Sequence, residues 1–298
     1  MTENAIVALQ MNCPLAATVH LKNMSENDLM VIGKAFPGDD LSGEQRLYKA
    51  QTMVAQFALY IENSDKARAK LLACVTQSIA ESMLTLASLD LPLTKSLGYA
   101  ALVPYGGVCT VSLMYQGLGE LMMRTGTIGS IQTGVVFEGD EFSYELGSDP
   151  WLKYTRGEGD ASDDKLTHAW CIAHNNQGPK TIEVMERSEL NKVRAASKMP
   201  QGPAWKGWFS QMCRKAPMRR MTKYMQTAVG GMAQTTLARG LDLENSQYDI
   251  GRMDHYKGVR QAHSDDLKAR AHASLGETKA LPAPPATAED GEVIPDNF

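Results

Sequence analysis

Between Lys192 and Arg239 the chain carries ten Lys and Arg residues and not one Asp or Glu. Its 298 residues include 30 basic and 34 acidic side chains, which leaves 20 basic against 34 acidic outside that window. A chain with a formal charge of −4 thus gathers positive charge into one segment. The densest stretch reads Arg214-Lys215-Ala216-Pro217-Met218-Arg219-Arg220-Met221-Thr222-Lys223-Tyr224, with Trp205 and Trp208 just upstream. Cations neutralise phosphates and aromatic faces stack on unpaired bases, so this composition points to a polyanion site. A solvated helix face would intersperse acids among the cations, and none are present.

Other residue sets carry less. His168 and His174 flank an expected strand and share a face at a spacing of six, as a metal pair could. No third ligand lies near them in sequence, and strand-edge histidines are the simpler reading. Asp160, Asp163 and Asp164 form an acidic loop that could hold Mg²⁺ in a nuclease, or could be a solvated loop. No G-x-x-x-x-G-K-[ST] occurs, so the P-loop of ATP-driven recombinases and helicases is missing. Gly117-x-Gly119 lacks the third glycine of a dinucleotide fingerprint, and no G-x-S-x-G elbow appears. The residues make no case for bond chemistry.

The elements that must hold the basic segment can be read from periodicity. Ser42-Gly43-Glu44-Gln45 resembles a capping box and opens a helix over 44–62. A second helix is expected over 66–87. A β-hairpin over 99–114 turns at Gly106-Gly107, and a helix over 116–124 pairs Glu120 with Arg124. A second hairpin is expected from 131–137 and 142–146 around Gly139-Asp140. Residues 157–165 read as a polar loop, and 167–174 and 180–185 as further strands. Helices follow at 188–197, 203–214 and 217–229, the last with Pro217 at its first position. A short helix is expected near 259–273, and the Pro-rich acidic end reads as disordered. The fold class is therefore α+β: a central antiparallel sheet with β-hairpins packed against helices, and a helical N-terminal region. Residues 1–40 read as a variable segment, 41–240 as the core (helices over 44–87, sheet over 97–186, helices over 188–229) and 241–298 as a C-terminal region.

Apolar content of 43% supports a real core. No signal-like start and no apolar run of membrane length appear, so a cytoplasmic protein without membrane association is expected. Cys13, Cys74, Cys109, Cys171 and Cys213 are scattered, which suits buried free thiols. Many of the 17 Met read as core or subunit interface.

From about residue 70 to 224 the chain resembles the RecT family of phage-type single-strand annealing proteins. Leu71-Leu72-Ala73-Cys74-Val75-Thr76-Gln77-Ser78-Ile79 looks like the family's first helical block, followed by the 89–92 turn and Tyr99-Ala100-Ala101-Leu102-Val103-Pro104-Tyr105. Tyr115-Gln116-Gly117-Leu118-Gly119-Glu120-Leu121-Met122-Met123-Arg124 resembles the signature Y-[QK]-G-x-x-E-x-x-x-R. The block from Glu138 to Gly147, with Pro150 and Lys153, then Ile182-Glu183-Val184-Met185, Trp205 and the basic run, follow in the family's order. Pro217 departs from the family, which usually has a β-branched residue there, and predicts a shortened or kinked helix.

The resemblance implies proteins that coat single-stranded DNA, anneal complementary strands without ATP and assemble into rings or helical filaments. It also implies a 5′→3′ exonuclease and the host single-strand-binding protein as partners, an annealed duplex intermediate, and no cofactor beyond Mg²⁺ as a DNA counterion. Lys206, Arg214, Lys215, Arg219, Arg220 and Lys223 are assigned to phosphate neutralisation. Arg219 and Lys223 share a helix face while Arg220 lies about 100° round, so Arg220 has pairing with a core acid as its alternative. Lys153, Tyr115, Gln116 and Arg124 are candidates carried by the family match alone. Tyr115 and Trp205 have two roles open to them, stacking on bases or filling the core. The helices over 44–62 and 66–87 are candidates for the subunit contact or for packing on their own core. A single-strand coat protein that does not anneal, a nuclease using the Asp160–Asp164 loop and a structural phage assembly protein are the competing readings.

Overall fold

The computed structural model describes residues 24–64, 68–176, 178–197, 199–225 and 232–246. The expected helix over 259–273 and the acidic tail lie outside the described residues. Two serines start the helical layer. Ser25 Oγ accepts the Asp28 N–H to cap α1 (Glu26–Ala35), a helix inside the stretch read from sequence as a variable segment. Ser42 and Gln45 complete the expected capping box of α2 (Gly43–Glu62). Arg46 of α2 binds the two together, donating to the Gly33 and Phe36 carbonyls at 3.2 Å each and also to Gly38. These acceptors are carbonyls freed where α1 ends.

The single helix expected over 66–87 is two helices, α3 (Arg68–Leu72) and α4 (Thr76–Ser88). A tertiary hydrogen bond outcompetes helical continuity between them: Val75 N–H donates to the Gly107 carbonyl at 2.8 Å. Buried Ser78 and Ser82 extend this joint, because Ser78 Oγ accepts the Cys109 N–H and Ser82 Oγ donates to the Cys109 carbonyl. That backbone belongs to the expected hairpin, β1 (Ala100–Tyr105) and β2 (Val108–Leu113). Its turn residues Gly106 and Gly107 have φ of 53° and 84°, the positive pair that a tight two-residue turn requires. Helix α5 (Tyr115–Arg124) follows.

The remaining strands are β3 (Ile128–Phe137), β4 (Glu141–Glu145), β5 (Trp151–Thr155), β6 (Leu166–Asn175) and β7 (Thr181–Glu186). The expected hairpin between 131–137 and 142–146 does not form. Instead β3, β6 and β7 make an antiparallel sheet in that order, and β4 pairs with β5, a strand missed in the sequence. Asp140 supplies the reason. Its carboxylate accepts the Phe137 N–H at 2.9 Å, the Gly157 N–H at 2.9 Å and the Tyr154 hydroxyl at 3.1 Å, and it pairs with Arg156. These bonds turn the chain out of β3 and clasp the start of β4 to the end of β5.

The sheet has two covered faces. His168, Trp170 and Ile172 lie under the ribbon with Phe142, Tyr144, Leu152 and Tyr154. On the other face Ala169, Cys171 and Ala173 are small, which lets a helix approach closely. After α6 (Arg187–Ala196) and α7 (Pro203–Gly207), that helix is α8 (Phe209–Met225), followed by α9 (Met232–Ser246). The boundary expected at Pro217 is absent, since α8 runs through it. Proline removes the N–H that would meet the Cys213 carbonyl and crowds that turn. Thr133 Oγ1 lies 2.8 Å from the Trp170 carbonyl and 3.1 Å from the Arg214 carbonyl, so β3 and β6 meet the helix one residue after the orphaned acceptor.

Asp140→Ala should lower the free energy of unfolding in urea by about 2 kcal/mol, because four donors, most of them partly buried, lose one shared acceptor. Burial pushes the Asp140 carboxyl up, but the bonds from Phe137, Gly157, Tyr154 and Arg156 outweigh it and hold it below the usual range. The contribution is therefore complete above the unfolded value of about 3.9. It disappears as pH falls through the lower folded value, so the gap between the two proteins should close on acidification.

Candidate nucleic-acid interface

Helix α8 is a core element before it is a basic surface. Its first half gives Phe209, Cys213 and Ala216 to a core shared with Val135, Ala169, Leu190 and Trp205. Its second half gives Met218 and Met221 to the larger core beneath α5 and β2. A helix buried along both halves can present few cations to solvent, and most of those expected at phosphates have partners inside the protein.

Lys215 is buried and its ammonium donates to the Leu113 carbonyl at 2.5 Å. Arg214 Nη1 donates to the Thr133 carbonyl at 3.3 Å, reciprocating the Thr133 hydroxyl. Arg220 bonds to Glu183, to Glu189 at 2.6 Å and to the Val184 carbonyl at 2.5 Å. This is the acid pairing weighed as its alternative role. Burial pushes the Glu189 carboxyl up, but the Arg220 bond and the Glu186 N–H hold it below the usual range.

Trp205 is 3% exposed beside Phe209, with ring centroids 5.8 Å apart. It has no face to offer a base, and of its two open roles the structure selects the core. Lys206 and Lys223 are exposed, and Arg219 is half-buried one turn before Lys223. Exposed Lys192 on α6 and Arg239 on α9 complete the outward cations of the described acid-free segment.

The signature around α5 is architectural. A Cβ on Gly117 would stand 2.1 Å from the Tyr99 carbonyl oxygen, so only glycine allows α5 to pack there. Gln116 is exposed, with its amide against Gly98, and Tyr115 is half-buried against the main core. Arg124 bonds Glu120 at 2.9 Å and donates to the carbonyls of Leu89 and Asp90 at 3.1 and 3.0 Å. It caps the end of α4, where Asp90 sits at φ 49° and pairs with Lys49 at 2.7 Å. Lys153 is exposed on β5, opposite Ser143.

The histidine pair and acidic loop are not brought together. His168 stacks 5.2 Å from Phe142, while His174 lies six residues along the strand, about 20 Å away. Asp163 accepts from Ser210 at 2.8 Å, and Asp160 accepts the Ser162 N–H. Among the described residues no group of three or more His, Cys, Asp or Glu is placed to hold a metal ion. Among them too, no helix is long and apolar enough to cross a membrane. The four described cysteines are free and buried; burial pushes Cys109, Cys171 and Cys213 up to about 12.

Residues missed in the sequence include Asp140 and Arg46; Trp208, noted there only as an aromatic beside the basic run, is 64% exposed. A continuous helix would place Trp205 and Trp208 on one side. The backbone at Trp208 (φ −138°, ψ 36°) ends α7 and sends the two rings apart. The break after Gly207 was the available signal.

An α+β core carrying a cationic helical segment is the frame, and sequence comparison places it. Residues 51–239 match the RecT family, and the chain belongs to that family. It is 34% identical over 164 residues to Protein RecT of Escherichia coli (strain K12), an alignment covering 52% of this chain and 60% of that one. It is 37% identical over 97 residues to the uncharacterized protein YqaK of Bacillus subtilis (strain 168), a third of each chain. The chain thus spans less than two thirds of the length of either relative.

The two kinds of cation should separate experimentally. Arg220→Ala should destabilise the fold by about 3 kcal/mol in urea, since it leaves Glu183 and Glu189 without their partner. Lys223→Ala should leave stability within about 0.5 kcal/mol. If the exposed cations meet phosphates, Lys223→Ala should reduce the slope of log affinity against log salt for single-stranded DNA by about 0.7.

Proposed function

We propose that this protein binds single-stranded DNA and anneals complementary strands without ATP, acting as an oligomer. The observation that carries the reading is the acid-free cationic segment inside the RecT-matched region, with Lys192, Lys206, Lys223 and Arg239 exposed on successive helices. Phosphate neutralisation by such side chains is independent of sequence, so slight base preference is expected. Annealing makes and breaks no covalent bond. The protein has to reduce repulsion between two polyanions and keep bases available for pairing, for which no cofactor or metal is needed. Mg²⁺ would act only as a counterion of the DNA. An exonuclease that exposes single strands and a host single-strand-binding protein that competes for them are the partners this role calls for.

The test is annealing of two complementary fluorescent oligonucleotides followed by FRET without ATP. Wild type should accelerate pairing, and Lys206→Ala/Lys223→Ala should slow it at least tenfold at moderate salt while keeping the wild-type melting temperature. Binding without acceleration would leave a single-strand coat protein. Mg²⁺-dependent degradation lost in Asp163→Ala would point to the nuclease reading instead.

A further inference from the structure

Trp208 is the most exposed of the four tryptophans, at 64% against 41% for Trp151, 8% for Trp170 and 3% for Trp205. An indole exposed to this degree offers a ligand a large, flat apolar face. The main chain beneath it is fixed on both sides. Trp208 N–H donates to the Ala204 carbonyl and its own carbonyl accepts the Met212 N–H, both at 3.0 Å. Its neighbours Trp205 and Phe209 are anchored in the core. The ring therefore projects from a rigid helix junction, not from a loose loop.

The segment around this junction is basic. Exposed Lys206 is two residues back, and the Arg187 and Arg194 guanidiniums lie 4.4 and 5.7 Å from the centroid of the next residue's ring, Phe209, while donating to backbone carbonyls. The loop acid that reaches the junction, Asp163, has its carboxylate bonded to Ser210. Trp151 offers the contrast. Its indole N–H donates to Glu145 at 2.9 Å, which sets a carboxylate at the ring's edge and makes that site less suited to a polyanion. An exposed indole on a fixed backbone, inside a segment that carries cations and no acids, is suited to a nucleic-acid strand whose bases are unstacked.

We propose that Trp208 is a base-stacking platform of the single-strand site, an inference that rests on the DNA-binding reading above. A base face is free only in a single strand, so Trp208 favours unpaired DNA over duplex. In annealing, the stacked base leaves the ring as it pairs. The residue thereby holds the reactant more tightly than the product, and sequence tolerance follows because every base has a π-face.

The experiment uses the full chain, oligothymidylate and a mixed-sequence duplex, with affinity read by anisotropy of labelled DNA and stacking by intrinsic fluorescence. Oligothymidylate should quench the wild-type emission. Trp208→Leu should lose that quenching and bind the single strand about tenfold more weakly at an unchanged salt slope. Trp208→Phe, which keeps a π-face, should recover most of the affinity, and duplex binding should be the same in all three. Wild-type affinity and retained quenching in Trp208→Leu would overturn the stacking role and leave DNA binding standing. Equal weakening by Leu and Phe, or equal loss on duplex, would overturn it too. Failure of the wild type to bind single strands at all would remove both readings.

Discussion

The constraint on which the structure depends is the burial of α8, a helix rich in arginine and lysine, between the sheet and the α5 layer. Cationic side chains tolerate such a position only if each finds an acceptor before it leaves water. Glu183 on β7 and Glu189 on α6 meet Arg220, the Leu113 carbonyl meets Lys215 and the Thr133 carbonyl meets Arg214. These acceptors come from strands β2, β3 and β7 and from helix α6. The cations of one helix therefore fix the positions of four other elements. Removing one partner leaves a partly buried charge without its partner, which costs stability. Small residues on β6 are the complement of the same constraint, because only Ala169, Cys171 and Ala173 allow the helix backbone to come so close to the sheet.

Two populations of cation follow, and a sequence cannot distinguish them by composition. Arg214, Lys215 and Arg220 are consumed by the fold, and Lys192, Lys206, Lys223 and Arg239 face water. The family signature divides similarly. Gly117 and Arg124 are explained by the close approach of Tyr99 and by the carbonyls at the end of α4, with no ligand required. A motif shared by a binding family can thus record how its scaffold closes.

The sequence made local structure legible where the cause was local. The capping box at Ser42, the Gly106-Gly107 turn and the helix after Met114 each depend on residues within a few positions, and each formed as expected. The failures share a different cause. The break between α3 and α4 comes from a hydrogen bond to Gly107, over thirty positions away in the chain. The ribbon of β4 and β5 comes from Asp140 reaching Tyr154 and Arg156, and α8 runs through Pro217 while packed against the sheet along both of its halves. Among candidate site residues, the basic segment was legible from its missing acids. The inward or outward direction of each side chain was not, because helical phase is lost at breaks such as the one at Trp208.

The division of cations bears on how the proposed activity must operate. Each exposed lysine or arginine meeting a phosphate contributes to single-strand affinity in proportion to released counterions, with a slope of about 0.7 per contact. A handful of outward cations on a protein that is acidic elsewhere gives one copy a modest, salt-sensitive hold. A strand that crosses several copies converts each further contact into an intramolecular one and multiplies the hold without new chemistry. Weak contact per copy also has a use in annealing, since a strand bound too tightly by one protomer could not slide into register with its complement. The burial of the strongest cations in the fold is thus consistent with a protein that gains grip from assembly and retains mobility at each site.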